Sequence, residues 1–157
     1  MNIKKNDYKE KFISVRNVSF GKDVTIVNPV NIYGCKIGCK SFIGPFVEIQ
    51  SGVVIGESTR VQSHSFICEG VTIGNECFIG HGVMFINDKF KNNGPARGNK
   101  EFWHSTSIGN RVSIGSNATI LPVVICDDVI IGAGSVVTKD ITVPGIYSGN
   151  PARYKPS

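Results

Sequence analysis

Apolar residues recur along the chain with a step of six. From Phe20 they fall at Ile26, Ile32, Ile37, Ile43, Ile49, Ile55, Val61, Ile67, Ile73, Ile79 and Phe85, and then at Ile108, Ile114, Ile120, Ile125, Ile131, Val137 and Val143, with two steps of five. A period of six fits neither the 3.6 of a helix nor the alternation of a long strand; it suits a short strand followed by a tight corner. Four residues after the apolar slot the chain usually carries something small or β-branched: Val47, Val53, Thr59, Val71, Cys77, Val83, Val112, Ala118 and Ser135. The slot directly after the apolar one is Gly at 21, 38, 44, 56, 74, 80, 109, 115 and 132, which is half of the 18 glycines. The pattern predicts an all-β parallel β-helix in which both the apolar residue and the one four later point inward. The glycine is expected to form the corner by reaching positive φ.

Composition agrees and excludes alternatives. With 20 Ile and 18 Val against one Leu and four Ala, a helical bundle is ruled out. The 157 residues, 41% apolar and 18% charged, suit one domain with a real core. The basic start, with Lys4, Lys5, Lys9 and Lys11, lacks the apolar run of a signal peptide, and no window of eighteen uninterrupted apolar residues follows, so a cytoplasmic protein with no membrane insertion is expected. Cys35, Cys39, Cys68, Cys77 and Cys126 form an odd set without a C-x-x-C pair, which reads as reduced thiols. The net charge of +5 gathers at the two ends and in the stretch that interrupts the period. No Lys/Arg run or basic helix is present to follow a nucleic-acid backbone, and a small polyanion such as a nucleotide or coenzyme A suits the pattern better.

The units I-G-C-K-S-F, I-G-P-F-V-E, I-G-E-S-T-R, I-G-N-E-C-F and I-G-S-N-A-T resemble the hexapeptide-repeat transferases. The resemblance implies a left-handed β-helix of triangular section with three hexads per coil, in a single domain spanning 1–157. Residues 1–19 would lead in, 20–85 and 108–148 would form the coils, 86–107 an inserted loop, and 149–157 a C-terminal tail. Between Phe85 and Ile108 the chain runs 23 residues where the period needs six, and long loops on repeat scaffolds commonly carry the specific chemistry.

With three hexads per coil, residues eighteen apart stack one strand spacing apart. Asn87 then lies over Glu69 at one corner, with Asp88 next to it, while His81 lies over Ser63 and Gly82 over His64 at a neighbouring corner. The polar groups are expected to converge where the loop leaves the coil. The run C-E-G-V-T-I-G-N-E-C-F-I-G-H-G-V-M-F-I-N-D-K, a basic loop with F-W, then I-G-A-G-S-V-V-T-K-D and S-G-N-P-A-R is similar to N-acetyltransferases that modify the 3-amino group of nucleotide-linked sugars for O-antigen and surface-polysaccharide assembly. That similarity implies acetyl-CoA as co-substrate, no metal, and a homotrimer with sites between subunits.

The implied reaction is attack of a neutral amine on a thioester carbonyl. Glu69 and Asp88 are acceptors suited to orienting the amine hydrogens, and Asn87 offers a donor and an acceptor. His81 is the rival general base; without it the departing coenzyme sulfur takes the proton. His64, Trp103 and His104 are candidate substrate contacts, with Phe102 beside them. Gly132-Ala133-Gly134, Thr138, Lys139, Arg153 and Lys155 are candidates for the coenzyme. The favoured acceptor is a dTDP-linked 3-amino-3,6-dideoxyhexose, with a UDP-linked amino sugar as the alternative. A γ-carbonic-anhydrase-like metal enzyme and a non-catalytic scaffold are the readings from other classes.

Overall fold

The computed structural model describes residues 14–91 and 93–156. Short parallel strands stack into a left-handed β-helix of about seven coils, with almost no helix. Three sheets form its faces. Face 1 holds seven strands, from Val15–Arg16 to Val136–Val137, and includes Phe66–Ile67 and Met84–Phe85. Face 2 holds six, from Ser19–Phe20 to Val124–Ile125. Face 3 holds eight, starting at Thr25–Ile26 and ending with an antiparallel pair, Gly145–Ser148 and Arg153–Lys155. The register advances by eighteen in the middle coils, as in Phe66↔Glu48 and Thr72↔Val54, and by 35 across the insertion, as in Phe78↔Ser113.

Sixteen of the nineteen periodic apolar residues are buried, Ile32 through Val137 in unbroken succession of slots. The ends differ: Phe20 and Val143 are exposed and Ile26 is half-buried, while Ile141 is buried and bridges Ile125 in place of Val143. All nine small or β-branched residues at the fourth position are buried as well. Where that residue carries a hydroxyl it is satisfied by the coil above: Ser41 donates to the carbonyl of Gly56 (2.9 Å), Thr59 to Gly74 (2.9 Å) and Ser65 to Gly80 (2.8 Å). A β-branched residue there is already close to the single rotamer a narrow interior permits, so little side-chain entropy is lost on folding.

The reason for the glycines is not the expected one. None of the nine glycines following the apolar slot has positive φ. The left-handed residue comes two positions later and is often not glycine: Lys40, Phe46, Ser58, His64, Glu76, Arg111, Asn117 and Asp128 all have φ between 54° and 64°. What the glycine slot requires is close approach between coils. A Cβ on Gly38 would stand 2.6 Å from the backbone nitrogen of Glu57, and one on Gly80 2.7 Å from the carbonyl oxygen of Ile114.

The coil begins before residue 20, because Val15–Arg16 already pairs with Asn31–Tyr33; the earlier lead-in, residues 1–13 with their lysines, lies outside the described residues. At the other end, the stretch expected to be a tail is a hairpin closing face 3. All five cysteines are free, and burial pushes the Cys35 and Cys68 thiols up to about 11. No helix among the described residues is long and apolar enough to cross a membrane.

Candidate active site

The inserted loop leaves the corner between faces 1 and 2 after Phe85 and returns at Thr106–Ile108. At its neck the outgoing and incoming chains run antiparallel. Asp88 bridges Trp103, and the backbone nitrogen of His104 donates to the carbonyl of Asn87 (2.8 Å). Asn87 lies over Glu69 as the eighteen-residue arithmetic requires, its side-chain amide donating to the Glu69 carbonyl at 3.1 Å. Asn99 caps a single 3-10 turn, Lys100–Phe102, that aims Lys100 back at the coil.

There Lys100 Nζ donates to both oxygens of the Glu69 carboxylate, at 2.6 and 2.9 Å. The same ammonium lies 5.6 Å from the centre of the Trp103 ring. Glu69, Gly70, Lys100, Trp103, His104 and Ser105 line a pocket of about 270 Å³. It presents a half-buried carboxylate beside the Trp103 ring, which suits a primary ammonium carried on a compact polar body.

Asp88 is engaged differently from the expectation. Its Oδ1 accepts from the backbone nitrogen of Phe90 (2.9 Å) and its Oδ2 from that of Ala96 (2.6 Å), and it does not line the pocket. Phe102, the last residue of the turn, is exposed.

The expected convergence of the histidines with this group does not occur within one chain. His64 and His81 lie on the corner between faces 3 and 1; the five residues from His64 to Glu69 cross face 1, roughly 16 Å of extended chain. His81 Nδ1 is paired with Ser63 Oγ at 2.8 Å, and the His64 ring stacks on Phe46 with centroids 4.8 Å apart. Upward along that same corner, the Asn117 nitrogen donates to the His81 carbonyl and the Gly134 nitrogen to that of Ser116, both at 2.8 Å. This puts Gly132-Ala133-Gly134 two coils above His81.

The coenzyme candidates divide likewise. Gly132 donates to the Tyr147 carbonyl, and Ala152 to that of Val136, so the glycine segment and the hairpin bearing Arg153 and Lys155 sit together. Thr138 and Lys139 instead follow face 1 at the Glu69 corner. Among the described residues no group of three His, Cys, Asp or Glu side chains is placed to hold a metal ion.

Sequence reasoning missed Lys100, Gly70 and Ser105. Gly70 and Ser105 follow from their position beside Glu69 and His104. Lys100 lies where the period is interrupted, and spacing gives no register there.

Comparison with known proteins agrees with the coil. Residues 34–69 match the bacterial transferase hexapeptide (six repeats), and residues 105–139 match the hexapeptide repeat of succinyl-transferase. A probable macrolide acetyltransferase of Lysinibacillus sphaericus is 50% identical over 54 residues, 34% of this chain and 30% of that protein. The bifunctional protein GlmU of Acidithiobacillus ferrooxidans is 31% identical over 153 residues, 90% of this chain and 33% of that protein. The chain therefore spans about a third of the length of these curated relatives. A hexapeptide-repeat acetyltransferase of Vibrio cholerae, solved with acetyl coenzyme A, superposes with a TM-score of 0.65 at 26% identity over 80% of this chain and 71% of that one. The two repeat matches lie on the three-faced coil, and over most of its length the chain is similar to an acetyltransferase built of hexapeptide repeats.

Proposed function

We propose that the chain is an acetyl-CoA-dependent N-acetyltransferase that modifies the 3-amino group of a dTDP-linked 3-amino-3,6-dideoxyhexose for surface-polysaccharide assembly. The observation that carries this reading is the Glu69 carboxylate, which already grips a primary ammonium beside an aromatic ring in the loop pocket. An acceptor amine entering there takes the place of the Lys100 ammonium. Glu69 holds it, and Asn87, which braces the Glu69 backbone, supplies its amide oxygen as a second acceptor.

After the amine loses its extra proton to water, its lone pair attacks the thioester carbonyl, the N–C bond forms and the C–S bond breaks. The departing coenzyme sulfur takes the remaining surplus proton, so positioning supplies most of the rate. The Vibrio cholerae relative solved with acetyl coenzyme A supports acetyl-CoA as the donor, and in this proposal it lies along the Gly132–Gly134 corner, with Arg153 and Lys155 toward the phosphates.

A homotrimer fits the same reading. The donor corner and the Glu69 corner lie at opposite edges of face 1, so one chain's donor corner meets the pocket of its neighbour. Face 3 exposes Phe78 and, beyond Ser113 in the same register, Ile130 and Ile146, apolar side chains suited to such contact.

Thiol release from acetyl-CoA, measured across dTDP- and UDP-linked amino sugars, tests the proposal. Release is expected with 3-amino sugars, fastest with dTDP-linked ones. Preference for the UDP series moves the assignment to that nucleotide, and silence across the 3-amino set overturns it.

A further inference from the structure

We infer that Asp88 is a positioning residue: it clamps the neck of the inserted loop so that Lys100, Trp103 and His104 close one side of the Glu69 pocket, and it does not contact the acceptor amine. The inference rests on the proposed reaction for its kinetic consequences but on geometry for its substance.

Both Asp88 oxygens point into the loop. Oδ1 closes a turn on the Phe90 nitrogen two residues on, a conformation that lets Phe90 sit at φ 52°. Oδ2 reaches eight residues along the chain to the Ala96 nitrogen, at 2.6 Å. A carboxylate accepting two backbone N–H groups is held by charge-assisted hydrogen bonds, the strong kind. Its own backbone meanwhile pairs with Trp103 across the neck. One residue thus fixes three points of the loop: the exit at 88–90, the middle at Ala96 and the return at Trp103.

The neighbouring Ala96 is buried, so the middle of the loop is folded in rather than hanging in solvent. Asp88 is absent from the pocket wall, whereas Trp103 and His104, which its bridge positions, form that wall. The neighbouring pair Asn87–Asp88 therefore divides its work: Asn87 braces Glu69 from the coil side, and Asp88 sets the loop side.

The chain has one tryptophan, so emission from Trp103 reads the loop directly, with no substrate present. Three variants of the full chain separate the roles: Asp88→Asn, which turns an amide donor toward a loop N–H; Ala96→Pro, which removes the partner N–H and leaves Asp88 intact; and the double variant. Trp103 emission is expected to shift in both single variants of the empty enzyme. The acceptor KM is expected to rise about tenfold in each, as loss of a charged hydrogen bond implies, with the KM for acetyl-CoA and the melting midpoint of the coil retained. The double variant should be no worse than the worse single one, because both remove the same bond.

Unmoved emission, together with a loss of kcat in Asp88→Asn that Ala96→Pro does not share, would mean that the carboxylate meets the amine, and overturns the inference. If the unaltered enzyme acetylates no amino sugar, the proposed function falls. Emission then still decides the clamp: a shift in both single variants supports it, and no shift in either overturns it.

Discussion

Glu69→Gln tests the pocket most directly. The substitution keeps the side chain's shape and one acceptor oxygen, removes the negative charge, and leaves the Asn87 bond in place because that bond goes to the Glu69 carbonyl. Its effect on the empty enzyme is small: the Lys100–Glu69 pair is two-thirds exposed on the lysine side, and such pairs contribute about 0–1 kcal/mol. For an acceptor ammonium at the same oxygens, two unit charges about 4 Å apart attract by about 1 kcal/mol in water and about 4 kcal/mol at an effective dielectric of 20. Glu69 is 29% exposed, between those environments, and a hold of about 2 kcal/mol corresponds to about a thirtyfold loss in kcat/KM. The assay is thiol release at saturating acetyl-CoA with the acceptor varied. A variant within twofold of the unaltered enzyme, or a loss confined to the KM for acetyl-CoA, refutes the assignment of the amine to Glu69.

Three other outcomes are expected. Lys100→Met frees the Glu69 carboxylate, so the acceptor KM falls by up to about fivefold, the worth of an exposed pair; a rise would show Lys100 contacting the acceptor itself. His81→Ala removes one hydrogen bond, to Ser63, at the other corner, and on the proposed mechanism, in which the departing sulfur takes the proton, kcat should stay within about tenfold; near-complete loss with binding and fold intact would assign the imidazole the role of base. Gly80→Ala forces a Cβ to within 2.7 Å of the coil above and should cost about 1–3 kcal/mol by denaturant unfolding. Gly94→Ala meets nothing within 4 Å and should be neutral or slightly stabilising, and equal effects at the two sites would refute the close-approach account of the glycine slot.

The faces were legible in the sequence because a coil repeats one steric problem. Every inward slot must fill the same narrow triangle, so Ile recurs, and every fourth-position residue must share that triangle, so Val, Thr, Ser, Cys or Ala follow. The glycine slot has a different cause from the one its period suggests, because periodicity reports where a residue type is required and not which contact requires it. Positive φ was the familiar reason, yet Lys, Glu and Arg hold the left-handed position in this chain, while the glycine slot faces the backbone of the next coil.

The same distinction governs the site. Eighteen-residue arithmetic placed Asn87 over Glu69 and His81 over Ser63, because both partners belong to columns of the coil; the hydrogen bonds at 3.1 and 2.8 Å follow those columns. It puts the histidines at a neighbouring corner, where they lie, but it does not give the width of the face between that corner and Glu69, so the expected convergence of the polar groups does not occur within one chain. Inside the loop there are no columns. Lys100 reaches Glu69 through a capped turn, and Asp88 reaches Ala96 across eight residues; neither contact has a period, so each depends on the loop's own hydrogen bonds. A coil of this kind supplies rigid edges at fixed spacing, and the Glu69 pocket arises where one long insertion is folded against such an edge. Altering acceptor choice should therefore require changes in residues 86–107, whereas the coil residues beneath them tolerate few.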